Sequence, residues 1–134
     1  MSPPPALLRP PEAPLKKQEL GALGEKAARA FLEKRGYKIL EANFRSREGE
    51  IDIIALQGEV VVFAEVKART THALGTPQEA VTPRKLERIK NLALEYLAIH
   101  PHLPPDWRID VLALDMDAGG RVKGLDLIEN AGDW

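Results

Sequence analysis

The chain has 134 residues, a formal net charge of −1, 29% charged residues and no cysteine. That length supports a single domain with a sizeable core, and the absence of cysteine excludes disulfides, thiolate metal sites and cysteine catalysis. The near-neutral balance excludes a generally basic nucleic-acid coat, so any phosphate contact has to be local.

The start of the chain lacks an apolar run of signal-peptide length, and no later stretch approaches the roughly 18 apolar residues that span a membrane. A soluble, cytoplasmic protein without a membrane segment is the expectation. Six prolines fall within the first fourteen residues. Proline fixes φ and removes a donor, so residues 1–16 read as a proline-rich disordered tail and residues 17–134 as one domain.

From about Gln18 to Arg35, the positions Leu20, Leu23, Ala27 and Phe31, with Gly24, Ala28 and Leu32 beside them, recur at helical spacing, and Gly36 is a helix stop. Tyr37 to Phe44 predicts a strand, Arg45 to Gly49 a polar turn, Glu50 to Leu56 a second strand, and Gln57-Gly58 a chain reversal. Val60 to Ala68 predicts a third strand, rich enough in β-branched residues for the centre of a sheet covered on both faces.

Thr70 to Val81 reads as a loop. Thr82 is an N-cap and Pro83 a first-turn proline, opening a helix whose buried stripe is Leu86, Ile89, Leu92, Ala93, Tyr96 and Leu97. Pro101, Pro104 and Pro105 end it. Trp107 to Leu114 and Val122 to Glu129 predict two more strands around a glycine-containing turn. The order αβββαββ predicts an α/β fold, a mixed central β-sheet flanked by helices.

Two strings conflict with burial: GEIDIIA (Gly49 to Ala55) and FAEVKAR (Phe63 to Arg69) place acids and a lysine inside apolar strands. A hairpin turning about Gln57-Gly58 with an even-numbered loop sets Leu56 opposite Glu59, Asp52 opposite Phe63 and Glu50 opposite Glu65. Asp52 and Glu65 are then diagonal neighbours about 7 to 8 Å apart at the backbone. Period-two alternation puts Glu50, Asp52, Glu65 and Lys67 on one face, with Ile51, Ile53, Ala64 and Val66 on the other.

Carboxylates that close repel each other. A hard divalent cation, Mg²⁺ or Mn²⁺, relieves the repulsion and commonly takes one or two carboxylates plus phosphate and water. Such a set suits phosphodiester hydrolysis: the metal lowers the pKa of bound water and offsets charge in the transition state, while Lys67 steers the water or stabilises the phosphorane. The bland alternative is a strand-end salt bridge of Glu65 with Lys67, with Asp52 and Glu50 solvated. Burial separates the two.

Asp52 followed by Glu65-Val66-Lys67 resembles the D…(E/D)-x-K signature of the restriction-endonuclease-like, PD-(D/E)XK, nucleases. The run from LGALGEKAARAFLEKRGYKIL through GEIDIIA, FAEVKAR and TPRKLERIKNLALEYL to RIDVLAL is more narrowly similar to the YraN family of small bacterial proteins, over residues 20–114. Archaeal Holliday-junction resolvases are a more distant likeness. The resemblance implies a restriction-endonuclease-like core and a Mg²⁺- or Mn²⁺-dependent endonuclease acting on DNA. It also implies a carboxylate from the first helix at the site, and Glu25 in LGEKAARAFL stands at the matching place.

Glu50 reads equally as an outer member of the metal site or as a surface charge. Lys85, which matches a lysine of the family pattern, and Gln78 lie where polar groups reach a phosphate backbone. Arg45, Arg47 and Arg69, with Arg84 and Arg88, are candidates for a basic rim toward DNA. Asp110, an acid inside an apolar strand, reads as structural, paired with Arg108, Arg69 or a backbone donor. His72, His100 and His102 lack metal-ligand spacing.

No element resembles a base reader, so a branched or flapped DNA shape is the expected substrate. A homodimer fits a junction, which has two strands to cut. The alternatives are a nucleic-acid-binding or repair scaffold that keeps the fold without turnover, and a non-catalytic interaction protein whose stability ignores metal.

Overall fold

The computed structural model describes residues 15–70 and 81–131. Helix α1 (Lys17–Lys34) is followed by strands β1 (Lys38–Ser46), β2 (Gly49–Gln57) and β3 (Val60–Arg69), helix α2 (Pro83–Ile99), and strands β4 (Asp106–Met116) and β5 (Val122–Ile128). The αβββαββ order read from the sequence holds. The five strands form one sheet in the order β1-β2-β3-β4-β5. Only β3 and β4 run parallel, joined by the α2 crossover, whereas the other neighbours are antiparallel.

Each helix covers one face, because each carries one apolar stripe that only the sheet can bury. Under α1, Ala28 and Leu32 pack on Ile53, Ala55, Val62, Ala64, Leu112 and Leu114. Under α2, Ile89, Leu92, Ala93 and Tyr96 pack on Ile51, Ile54, Val61, Phe63 and Ile109. Phe63 stands edge-on to both Tyr96 and Trp107. The Thr82 side chain accepts from the Lys85 amide, as an N-cap should. Among the described residues, no helix is long and apolar enough to cross a membrane.

The β2–β3 hairpin differs from the sequence-based register by two residues. Gln57 pairs with Val60 and Ile53 with Ala64, so the loop is Gly58-Glu59 rather than Gln57-Gly58. Gly58 has φ +59°, and a glycine with positive φ at the first loop position is what a two-residue hairpin turn demands. A shift of two keeps the side-chain parity but moves Asp52 from a diagonal toward a position directly across from Glu65. The first hairpin is also longer than predicted: Arg45 pairs with Glu50 and Ser46 with Gly49 inside the sheet.

Strict alternation fails in β2. Ile53 lies in the core under α1, yet Ile51 lies in the core under α2. The facing strand supplies the reason: Asn43, between the partners of Ile53 and Ile51, has φ 57°. A left-handed residue inside a strand breaks the pleat, and asparagine is one of the few residues that tolerate it. Asp52 sits at the crossing point.

On β4 beside Ala64, Asp110 is fully buried and receives the Arg108 Nε at 2.9 and 3.1 Å and the Asn130 amide at 2.9 Å. The Arg108 guanidinium also donates to the Tyr37 hydroxyl and the Gln57 side chain. The structural reading of Asp110 is borne out, with Arg108 and a backbone donor as its partners.

Gly24 on α1 is where the helix comes closest to β3. A Cβ there would stand 2.6 Å from the Cβ of Ala68, the neighbour of Lys67. Gly24→Ala is therefore expected to destabilise the fold by about 1–2 kcal/mol, the overpacking cost exceeding the gain of roughly 1 kcal/mol in helix propensity. Urea unfolding checks this, and an increase in stability would contradict the close packing.

Candidate functional site

The registered β2–β3 ladder ends at Ile53 and Ala64, while β3 stays paired with β4 through Arg69. Beyond that point β3 needs another acceptor for its amides, and the Asp52 carboxylate supplies one: Val66 N–H donates to Asp52 Oδ2 at 2.8 Å. The acid that reads as misplaced in a buried strand thus completes a strand edge. Its carboxyl also meets Glu65, which is only 7% exposed.

Two clefts open at this point. The one on the α1 side, about 280 Å³, is lined by Lys17, Leu20, Gly21, Glu25, Asp52, Val66, Lys67 and Ala68. The one on the α2 side, about 260 Å³, is lined by Glu50, Asp52, Glu65, Lys85, Arg88 and Ile89. Asp52 borders both.

Burial foremost, then the hydrogen bond and the charge of Glu65, push the Asp52 carboxyl up to about 7, against the Val66 amide and the Lys85 ammonium. Lys67 is lowered by burial and by the adjacent Lys85, against Glu65 and Asp52. Lys85 is raised: burial opposes its charge, but the contact with Lys67 and the carboxylates of Glu65 and Asp52 outweigh it. The Lys85 ammonium is 3.2 Å from Glu65 Oε2.

Four residues therefore meet: Asp52, Glu65, Lys67 and Lys85. Lys85, read from sequence as a phosphate contact, is engaged with Glu65 in this structure. Nothing in the order of residues announces this, because residues 65 and 85 come together only through the crossover. Glu25 lines the same cleft as Asp52 and Lys67, but its carboxylate accepts from Asn43 Nδ2 at 2.9 Å. Glu50 borders the α2-side cleft and pairs with Arg45 at 3.2 Å.

Arg47 is exposed at the β1–β2 turn. Arg69 is largely buried beside Asp115, 3.6 Å away, toward β4 rather than the acid pair. Arg84 and Arg88 line a separate cleft on α2 with Glu48, Glu87 and Asn91. Gln78 and His72 lie outside the described residues. His100 stacks on Tyr96, with ring centroids 4.0 Å apart, a packing role.

The donor set fits a hard cation: two carboxylates from adjacent strands, oxygen only, with space on both sides. Among the described residues, no three His, Cys, Asp or Glu groups stand together for one ion. A cation held by Asp52 and Glu65 would complete its shell with water and phosphate, the usual habit of Mg²⁺ and Mn²⁺. The salt-bridge alternative is half right, since Glu65 has an ion pair, with Lys85 rather than Lys67.

The chain is thus an α/β domain with an acid pair and two lysines at the parting of two strands. The model of the uncharacterised protein family UPF0102 matches residues 24–114. The chain belongs to that family, the YraN-like one. It is 46% identical to a UPF0102 protein of Moorella thermoacetica over 83% of this chain and 92% of the relative. It is 46% identical to another of Symbiobacterium thermophilum over 85% and 96%, and 45% identical to one of Pelotomaculum thermopropionicum over 84% and 93%.

An acid whose folded pKa is about 7, far above its unfolded value, holds its proton more tightly in the native state. Its contribution is fully present below about pH 4 and is lost as pH rises through 7, by at most about 4 kcal/mol. Metal-free protein is expected to lose stability between pH 5 and pH 8, and Asp52→Asn to remove most of that slope. Denaturant melts of both proteins across this range are the check; parallel pH profiles would refute the assignment.

Proposed function

We propose that the protein is a Mg²⁺- or Mn²⁺-dependent endonuclease with a restriction-endonuclease-like core, hydrolysing DNA phosphodiesters. The observation that carries this reading is the cross-strand Asp52–Glu65 acid pair, Glu65 buried and Asp52 half-buried, with Lys67 beside it where β2 and β3 part. A structural acid cluster gains nothing from such crowding, whereas a site for a cation and a phosphate requires it.

Asp52 and Glu65 would hold the divalent ion, which when bound polarises the phosphate and acidifies water. The Asp52 carboxylate is oriented by the Val66 amide and so presents its other oxygen to the site. Lys67 sits in the cleft shared with Asp52, where its ammonium steers the attacking water, whose proton passes to solvent. As that water's oxygen bonds to phosphorus, the bridging P–O bond breaks and the leaving oxygen is protonated from solvent. Glu25 and Glu50 flank the site at either side as outer acids.

Arg45, whose side chain is 77% exposed, Arg47, Arg84 and Arg88 lie on the exposed rim and suit sugar-phosphate contacts that position a strand without reading bases. Selectivity then comes from shape, with branched or flapped DNA as the preferred substrate. Paired incision of a four-way junction needs two such sites, hence two copies of the chain.

A second reading is a nucleic-acid-binding scaffold without turnover, favoured by the Lys85–Glu65 ion pair, which satisfies one acid with no metal. Labelled junction, flap, single-stranded and duplex DNA, incubated with Mg²⁺ or Mn²⁺, separates the two. Structure-selective cutting by the wild type, reduced about 100-fold or more in Asp52→Asn and in Glu65→Gln, supports the nuclease. Binding by both wild type and Asp52→Asn with cutting by neither supports the scaffold.

A further inference from the structure

We propose that Lys85 is the built-in counter-cation of the acid pair: its ammonium takes the electrostatic place of a divalent ion and is displaced when one binds. This rests on reading Asp52 and Glu65 as the metal-binding acids. Its own basis is the contact of Lys85 Nζ with Glu65 Oε2 at 3.2 Å, between side chains 33% and 9% exposed. A carboxylate that deeply buried needs a compensating charge, and the first turn of α2, fixed by the Thr82 cap, delivers it across the cleft.

Counting charges gives the consequence. Asp52 and Glu65, once ionised, contribute two negative charges, and Lys67 and Lys85 two positive ones, so the group is neutral without metal. A divalent ion entering with both lysines in place leaves an excess of two positive charges in a half-buried cleft, where Coulomb terms are weakly screened. Lys67 is carried by the strand itself. Lys85 reaches in from the helix on a flexible stem and is one third exposed, so it is the group that can yield.

Displaced, its ammonium stays at the mouth of the cleft beside Arg88, where an arriving phosphate supplies the missing negative charge. The same lysine thus weakens metal binding to the free protein and favours it once a nucleic-acid backbone is present. Lys85 is a positioning residue in this scheme, acting through Glu65 and the incoming phosphate.

The test is a Mn²⁺ titration of the full chain at pH 8 without nucleic acid, comparing wild type, Lys85→Gln and Lys85→Arg by calorimetry and by thermal unfolding. Lys85→Gln is expected to melt lower than wild type without metal and to bind Mn²⁺ about tenfold more tightly. Lys85→Arg, which keeps the charge, should track wild type. Equal Mn²⁺ affinity in wild type and Lys85→Gln overturns the displacement while leaving the metal site standing. Absence of Mn²⁺ binding in all three proteins overturns both.

Discussion

The hydrogen bond from the Val66 amide to the Asp52 carboxylate is the interaction on which the rest of the site depends. It arises because β2 pairs with β3 only from Ile53 onward, while β3 continues past Ala64 beside β4. A ladder that simply ran on would satisfy Val66 with backbone and close both clefts. A ladder that ended without a substitute would leave a donor stranded at a cost of about 1–3 kcal/mol. Using a side chain as the acceptor resolves this and leaves a charged group where two strands diverge. Everything chemical about the site follows from keeping that carboxylate crowded against Glu65.

Crowding has to be tolerated by the metal-free fold, and the lysines make that possible. Lys67 comes from the strand that carries Glu65, Lys85 from the helix that crosses over it. The crossover is the consequence of placing β4 parallel to β3, since a parallel neighbour requires a long connection that passes over one face. Sheet topology therefore sets the electrostatics: the helix that connects the strands is also the element that neutralises them.

The element order was legible because the local signals agree. Helical spacing from Leu20 to Phe31, the Thr82-Pro83 start, and the Pro101 to Pro105 stop left little freedom, and the apolar run of β3 marked a central strand. Asp52, Glu65 and Lys67 were legible because a charge in a buried strand conflicts with its surroundings. The hairpin register was legible only through turn chemistry: a two-residue loop asks for positive φ at its first position, which glycine supplies in Gly58-Glu59 and glutamine would not in Gln57-Gly58. The crossing of Ile51 to the α2 face depends on Asn43, whose presence mid-strand was the available sign. Lys85 could not be placed because its partner lies twenty residues away through a connection whose path local patterns do not specify.

The Arg108–Asp110 network gives the sheet a second fixed point one row from the acid pair, since Asp110 stands beside Ala64 and Val111 beside Glu65. Arg108 and Asp110 bind Tyr37 before β1, Gln57 at the end of β2, and Asn130 after β5, so segments far apart in order are riveted together. The acid pair lies just past these rivets, where β2 and β3 have parted. The strands are thus pinned on the hairpin side of the site, through Arg108, Tyr37 and Gln57, and open into clefts at Asp52. Two acids on the strands that flank β3 therefore meet opposite fates: Asp110 is saturated by Arg108 and the Asn130 amide, while Asp52 is left crowded against Glu65 beside open space.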